Sequence, residues 1–199
     1  MTRELLQLLQ YHLRGELRRA RRRKRSTPLL IAVLIIAIFA ISQFLEEPKA
    51  PPPAKDAELS CALREVYDGD TVAVRCDSGT LTVRVWGIDA PEMGQKPWGE
   101  RSRGHLSNLL PNDTVRLQVA DIDRYGRTVA RIYQGDQDIG LALVRQGWAV
   151  IYPQYNQSPV HTPAYQAAQR QARQERLGVW SRPGAHQEPW EWRKVNPRS

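Results

Sequence analysis

Cysteine, phenylalanine and histidine are scarce: this chain of 199 residues has two Cys, two Phe and four His. Neither Cys61 and Cys76 nor His12, His105, His161 and His186 fall at the paired spacings of a zinc site, which excludes a zinc-bound fold or a zinc hydrolase built on a local motif. No internal repeat is visible. A general excess of positive charge is also missing once the charge is located. Residues 1–28 carry nine Lys/Arg against two Asp/Glu, and the rest of the chain carries twenty against nineteen. The net charge of +8 therefore belongs to the N-terminus. Any path for a polyanion on the remainder must be a local patch.

Long apolar runs are absent with one exception, Pro28 to Leu45. As a helix it reaches roughly 27 Å at about 1.5 Å per residue, close to the ~30 Å of a bilayer's hydrocarbon core. The block Arg18-Arg19-Ala20-Arg21-Arg22-Arg23-Lys24-Arg25 precedes it and Glu46-Glu47 follows. The positive-inside rule then predicts a single-pass anchor in a bacterial-type inner membrane, with a cytoplasmic N-terminus and the remainder periplasmic or extracellular. A cleaved signal peptide ending near Ala40-Ile41-Ser42 is the alternative. Residues 1–27 place Leu5, Leu6, Leu8, Leu9, Leu13 and Leu17 roughly along one side of a helix, a basic amphipathic segment suited to an acidic inner leaflet. Residues 46–58, with Pro48 and Pro51-Pro52-Pro53, read as an extended linker.

From 59 to 182 the pattern is that of a folded domain. Ala62–Tyr67, Thr71–Arg75 and Leu81–Trp86 are short β-branched runs separated by Asp68-Gly69-Asp70 and Asp77-Ser78-Gly79. Thr114–Val119 and Thr128–Tyr133 flank a turn at Arg124-Tyr125-Gly126-Arg127. Helices are expected after Pro97, over Ile139–Gln146, and from Pro163 to Leu177. Five strands and three helices fit a small closed β-barrel of the OB-fold type. Cys61 and Cys76 are equidistant from the Asp68-Gly69 turn, so they face each other across a hairpin, and a disulfide is expected in an exported domain. Two free buried thiols are the alternative. Trp148 and Trp180 read as core or barrel-edge residues. The tail 183–199 is polar, holds Pro183, Pro189, Trp190 and Trp192, and suggests no function.

The chemistry concentrates in three stretches. They are Asp68-Gly69-Asp70-Thr71, then Arg84-Val85-Trp86-Gly87-Ile88-Asp89-Ala90-Pro91-Glu92, then Asp123-Arg124-Tyr125-Gly126-Arg127. Carboxylates from two separate turns can offer hard oxygen ligands to a Ca²⁺-like ion. A further carboxylate is available for proton transfer, and two arginines can clamp a phosphate. In that order, and with Ala142-Leu143-Val144-Arg145-Gln146-Gly147 and Gly178-Val179-Trp180-Ser181 downstream, these motifs resemble the staphylococcal nuclease (thermonuclease-like) family over roughly residues 60–181.

The resemblance implies an OB-type barrel and a metal-dependent nuclease that uses Ca²⁺, with Mg²⁺ or another divalent ion possible. It implies cleavage of DNA and RNA with little sequence preference, leaving 3′-phosphates. By the same resemblance Asp70 and Asp89 ligate the metal with the backbone carbonyl of Ala90, where the family usually has Thr. Asp68 sits behind them orienting water, or simply forms the turn. Glu92 positions or deprotonates the attacking water. Arg84 and Arg127 grip the scissile phosphate, and Tyr125 and Tyr152 contact a nucleotide. Tyr155 is a weaker candidate. The stretch after Gly147 is one residue shorter than in the family's best-known member and contains Pro153, so the family's tyrosine does not map onto a single position here. No obligate protein partner is evident, and a monomeric domain is expected. The competing readings are a catalytically silent OB-type nucleic-acid-binding module and a structural envelope protein. The full set Asp70, Asp89, Glu92, Arg84 and Arg127 argues against both.

Overall fold

The computed structural model describes residues 31–32, 34–38, 50–111, 114–153 and 162–197. Residues 31–32 and 34–38 are helical, and Ile35 and Ile36 within them are exposed. Among the described residues no helix is long and apolar enough to cross a membrane. Most of the expected anchor at 28–45 lies outside them, as do the amphipathic segment 1–27 and the first part of the linker.

The folded domain is organised by strands β1 (Glu58–Val66), β2 (Thr71–Cys76), β3 (Gly79–Val85), β5 (Thr114–Ile122) and β6 (Thr128–Gln134). They pair antiparallel in the order β3-β2-β1-β5-β6, and a parallel β3–β6 pairing closes them into a five-stranded barrel. Closure removes the exposed edges that so short a sheet would otherwise present. Register irregularities between Leu63 and Glu65 in β1, and between Val119 and Asp121 in β5, let these strands bend around the barrel. The strict alternation of β3 puts Leu81, Val83 and Val85 inside and leaves Arg84 on the other face.

Helix α1 (Trp98–Leu109) buries Gly99, Ser102 and Leu106, a single helical stripe. Helix α2 (Ile139–Arg145) is capped by Asp138, whose side chain accepts from the Leu141 N–H at 3.1 Å. It ends at Gly147, which adopts φ 73°. Helix α3 (Thr162–Gln174) packs Tyr165, Ala168 and Ala172 inward, and the buried Tyr165 hydroxyl is satisfied by Asp138 at 2.9 Å. Three short strands lie outside the expected set: β4 (Ile88–Asp89) pairs with β8 (Val150–Ile151). β7 (Gln137–Asp138) extends the sheet from β6. The sequence beyond 182 also forms structure, a 3₁₀ turn at Ala185–Gln187 and helix α4 (Pro189–Val195).

Cys61 and Cys76 are joined by a disulfide at the open end of the β1–β2 hairpin, whose tip carries Asp68 and Asp70. The bridge spans 15 residues, and chain-entropy reasoning gives such a loop roughly 3 kcal/mol of stabilisation. Cys61→Ser should lower the melting temperature by on the order of 10 °C. Reductant should shift the wild-type protein by a similar amount and leave the variant unmoved. Calorimetry checks both arms, and a wild-type protein indifferent to reductant would refute the stabilising role.

Candidate active site

The β1–β2 tip and the short strand β4 bring their carboxylates to the same end of the barrel. Asp70 is buried (3% exposed), and so is Asp89 (0%). Three groups hold the Asp70 carboxylate. The Thr71 hydroxyl and Arg84 Nη1 donate to Oδ1 at 2.9 and 2.7 Å, and the Ala90 N–H donates to Oδ2 at 2.9 Å. That last bond ties the β4 turn to the hairpin tip, which is why residues twenty apart in sequence share one site. Asp68 accepts the Asp70 N–H at 3.0 Å and stabilises the tip. The tip itself requires Gly69, because a Cβ there would meet Ser102 Oγ of α1 at 2.0 Å.

Arg84 donates its other terminal nitrogen to Asp89 Oδ1 at 2.7 Å. It thus bridges the two buried carboxylates, a fork geometry that a guanidinium can span and an ammonium cannot. A second guanidinium arrives from α4. Arg193 donates Nη1 to Asp89 Oδ1 at 3.0 Å and to Glu92 Oε1 at 2.7 Å, and Nη2 to Asp89 Oδ2 at 2.8 Å. Glu92 is further fixed by its own N–H, which donates to Gln95 Oε1 at 2.8 Å.

The electrostatics follow from crowding these charges out of water. Burial first, then the charge of Asp70, pushes Asp68 up to about 7. Burial and Asp70 likewise raise Asp89, opposed by Arg193 and Arg84. For Arg84 burial works against the charge, but Asp70 and Asp89 more than offset it and hold its pKa above the ordinary value. Arg193 is raised in the same way, by Asp89 and then Glu92. The pocket is therefore one of surplus negative charge stabilised by cations.

That property bears on whether a metal fits. Among the described residues no group of three or more His, Cys, Asp or Glu side chains converges as a ready-made shell. The donors are instead the buried carboxylates of Asp70 and Asp89, from different turns, and the backbone carbonyl of Ala90 beside Asp89; each Oδ2 accepts a single hydrogen bond, and the all-oxygen set is of the kind that a hard divalent cation takes with water and substrate. The residues present fit such an ion.

A cleft of about 930 Å³ opens beside these groups, lined by Arg84, Glu92, Arg127, Tyr125, Tyr152 and Trp190 among others. Arg127 is aimed by the β5–β6 turn: Asp123 accepts the N–H groups of Tyr125 and Arg127, both at 2.9 Å, and Arg127 Nε at 2.7 Å. Gly126, at φ 75°, lets the chain reverse there. Tyr125 is 66% exposed, with the guanidinium carbons of Arg124 and Arg127 at 4.9 and 5.6 Å from its ring centre. Tyr152 also lines the cleft, its ring centre 5.9 Å from that of Trp190. Tyr155 lies outside the described residues. Trp148 stacks on His105 at 4.1 Å, and Trp180 lies under Arg173 at 4.2 Å, neither of them on the cleft.

The structure thus brings Asp70, Asp89, Ala90, Glu92 and Arg84 together, with Asp68 behind them and Arg127, Tyr125 and Tyr152 along the cleft. Two contributors, Trp190 and Arg193, escaped the sequence reading of the site. Asp123 stood in the motif without a role, although its place four residues before Arg127 was a local signal. Trp190 and Arg193 had none, since Arg193 meets its carboxylates across 101 and 104 positions of chain.

Comparison with known proteins agrees with this geometry. A family model described as staphylococcal nuclease homologue matches residues 82–182. A micrococcal nuclease from Shigella flexneri is 38% identical, over 66% of this chain and 78% of that protein. An uncharacterized endonuclease from Escherichia coli is 34% identical over 71% and 89% of the two chains. A thermonuclease from Staphylococcus hyicus is 31% identical over 80% and 99%.

Proposed function

The chain belongs to the staphylococcal nuclease family and is a phosphodiester hydrolase, and from that premise we propose a divalent-metal-dependent endonuclease, Ca²⁺-using, that cleaves DNA and RNA with little sequence preference and leaves 3′-phosphates. The observation that carries the reading is the pair of buried carboxylates Asp70 and Asp89, bridged by Arg84 and standing one guanidinium away from Glu92.

Asp70, Asp89 and the Ala90 carbonyl would hold the cation, which supplies Lewis-acid stabilisation of charge on the phosphoryl oxygen. Glu92, its backbone pinned through Gln95, takes the proton from the attacking water. Arg127 Nε is committed to Asp123, so its terminal nitrogens form the end that extends toward the cleft and grips the phosphate. Its attraction grows as negative charge builds on the equatorial oxygens, which lowers the barrier as well as the dissociation constant. Arg84 serves the same charge from the side of the metal carboxylates. Tyr125 and Tyr152 offer faces on which any base can stack, consistent with weak sequence preference.

The full-length protein should degrade DNA and RNA in Ca²⁺, lose that activity in EGTA, and regain it when Ca²⁺ is restored. Undiminished cleavage in EGTA with Mg²⁺ supplied would refute the Ca²⁺ preference. Products that 3′-phosphatase treatment fails to convert to 3′-hydroxyl ends would refute the cleavage position.

We further propose that the apolar run at 28–45 anchors the nuclease in the membrane, with residues 46–199 outside the cytoplasm. The basic block before the run and Glu46-Glu47 after it support this orientation. Protease added to spheroplasts should remove the nuclease domain, and cleavage only after lysis would overturn the topology.

A further inference from the structure

We propose that Arg193, on a C-terminal helix outside the region matched by the family model, is a positioning residue of the nuclease site: it holds Asp89 and Glu92 in a fixed mutual geometry. The proposal rests on the site assignment above. One guanidinium contacts both carboxylates through three hydrogen bonds of 2.7 to 3.0 Å. The groups it joins have different tasks, a metal ligand and the acceptor of the water's proton. Their separation decides where the attacking water stands relative to the cation. Side-chain packing alone fixes a glutamate poorly, since several of its bonds rotate. A planar fork shared with a buried aspartate removes that freedom.

The helix that delivers Arg193 is built into the domain. His186 is buried and stacks on Trp98 of α1 with ring centres 4.1 Å apart. Its Nε2 lies 3.0 Å from the Val179 carbonyl. Gln95, which holds the Glu92 N–H through its Oε1, donates its Nε2 to the Ala185 carbonyl at 3.0 Å. Trp192 sits against Gly94, where an added Cβ would come within 2.9 Å of its ring. The segment leading to Arg193 and the loop bearing Glu92 therefore brace each other at two points, Ala185 and Trp192. A plug meant to leave the site would need none of these anchors. Continuous anchoring is what a residue that sets geometry requires.

Arg193→Ala in the full-length protein should lower kcat by on the order of 10²-fold and change KM by no more than about threefold, as expected when alignment and not substrate grip is lost. Guanidinium chloride at sub-denaturing concentration should restore activity by about tenfold or more, while ammonium should not, because only the planar fork spans both carboxylates. Arg193→Lys keeps a cation beside Asp89 should the alanine variant not fold, and it should show a comparable loss of kcat. In the metal-free wild type, the Arg193 guanidinium protons should give resolved, slowly exchanging NMR signals that shift in Glu92→Gln. Calorimetric Ca²⁺ affinity should change by less than about tenfold in Arg193→Ala. Wild-type turnover in both variants, a loss that guanidinium leaves unrepaired, or raised turnover with tightened Ca²⁺ binding would each overturn the proposal; the last would mean that Arg193 is an inhibitory plug. An inactive wild-type chain would instead remove the underlying site assignment, and so is distinguished from failure of the variants.

Discussion

Glu92→Gln should reduce turnover by roughly 10²- to 10⁴-fold, the range general-base catalysis usually supplies. The substitution is a narrow one. The glutamine side-chain oxygen can still accept from Arg193, and the backbone N–H still reaches Gln95, so the loop and α4 keep their bracing. What disappears is the capacity to take a proton, together with one negative charge next to Asp70 and Asp89. KM for DNA should therefore change far less than kcat, and the melting temperature should stay near that of the wild type. Steady-state kinetics on a defined oligonucleotide, with Ca²⁺ held well above saturation, separates these quantities. A variant within a few-fold of wild-type turnover would mean that the water is activated without this carboxylate. A loss confined to KM would assign Glu92 to substrate or metal binding.

Much of this site was legible in the sequence because its parts obey short-range rules. The alternation of β3 put Arg84 on the face opposite Leu81, Val83 and Val85, and the structure keeps it there. The symmetry of Cys61 and Cys76 about Asp68-Gly69 anticipated their contact across the hairpin. Gly147 marked the end of α2 and Pro97 the start of α1. The strands β4 and β8 have two residues each, too short to carry any periodicity, and only the folded barrel mouth makes them pair. Helix α4 is seven residues long with Pro189 at its first position, so local propensity alone could not support it. Its stability comes from packing on residues about a hundred positions away.

The same distinction explains what the sequence left unsaid about charge. Arg84 reads from sequence as a phosphate ligand on the outer face of β3. In the structure both its terminal nitrogens are engaged with Asp70 and Asp89. Four carboxylates and two guanidiniums share one partly buried volume, and removing either guanidinium leaves carboxylates there without a compensating cation. Composition counts such charges but cannot show that they meet. Burial first, and then the charge of Asp70, raises both Asp68 and Asp89, and neither effect can be read from composition.

Arg127→Lys should lower kcat/KM by about 10²- to 10³-fold, comparable to deleting one donor from an anion hole, even though it conserves charge. The reason lies in the β5–β6 turn. Asp123 accepts two backbone N–H groups and Arg127 Nε, so the guanidinium is anchored through Nε on a residue that lines the cleft, and its terminal nitrogens are not used by Asp123. A lysine ammonium is a single point: if it pairs with Asp123 it is withdrawn from the phosphate, and if it reaches the phosphate it abandons its anchor. Asp123 stays ionised at neutral pH. Burial would raise its pKa, but hydrogen bonds from the Arg127 backbone and side chain, the Arg127 charge and the Tyr125 N–H together hold it below the usual carboxylate range. Asp123→Asn should accordingly be milder, on the order of tenfold, because the amide oxygen can still accept the Tyr125 and Arg127 N–H groups and keep the turn, while the bond to Nε is lost. The ordering of the two variants is the diagnostic result, read from kcat/KM on the same oligonucleotide. If the lysine variant retains wild-type efficiency, phosphate is gripped without Arg127. If the asparagine variant is the worse of the two, the turn itself, and not the guanidinium, is what the reaction depends on.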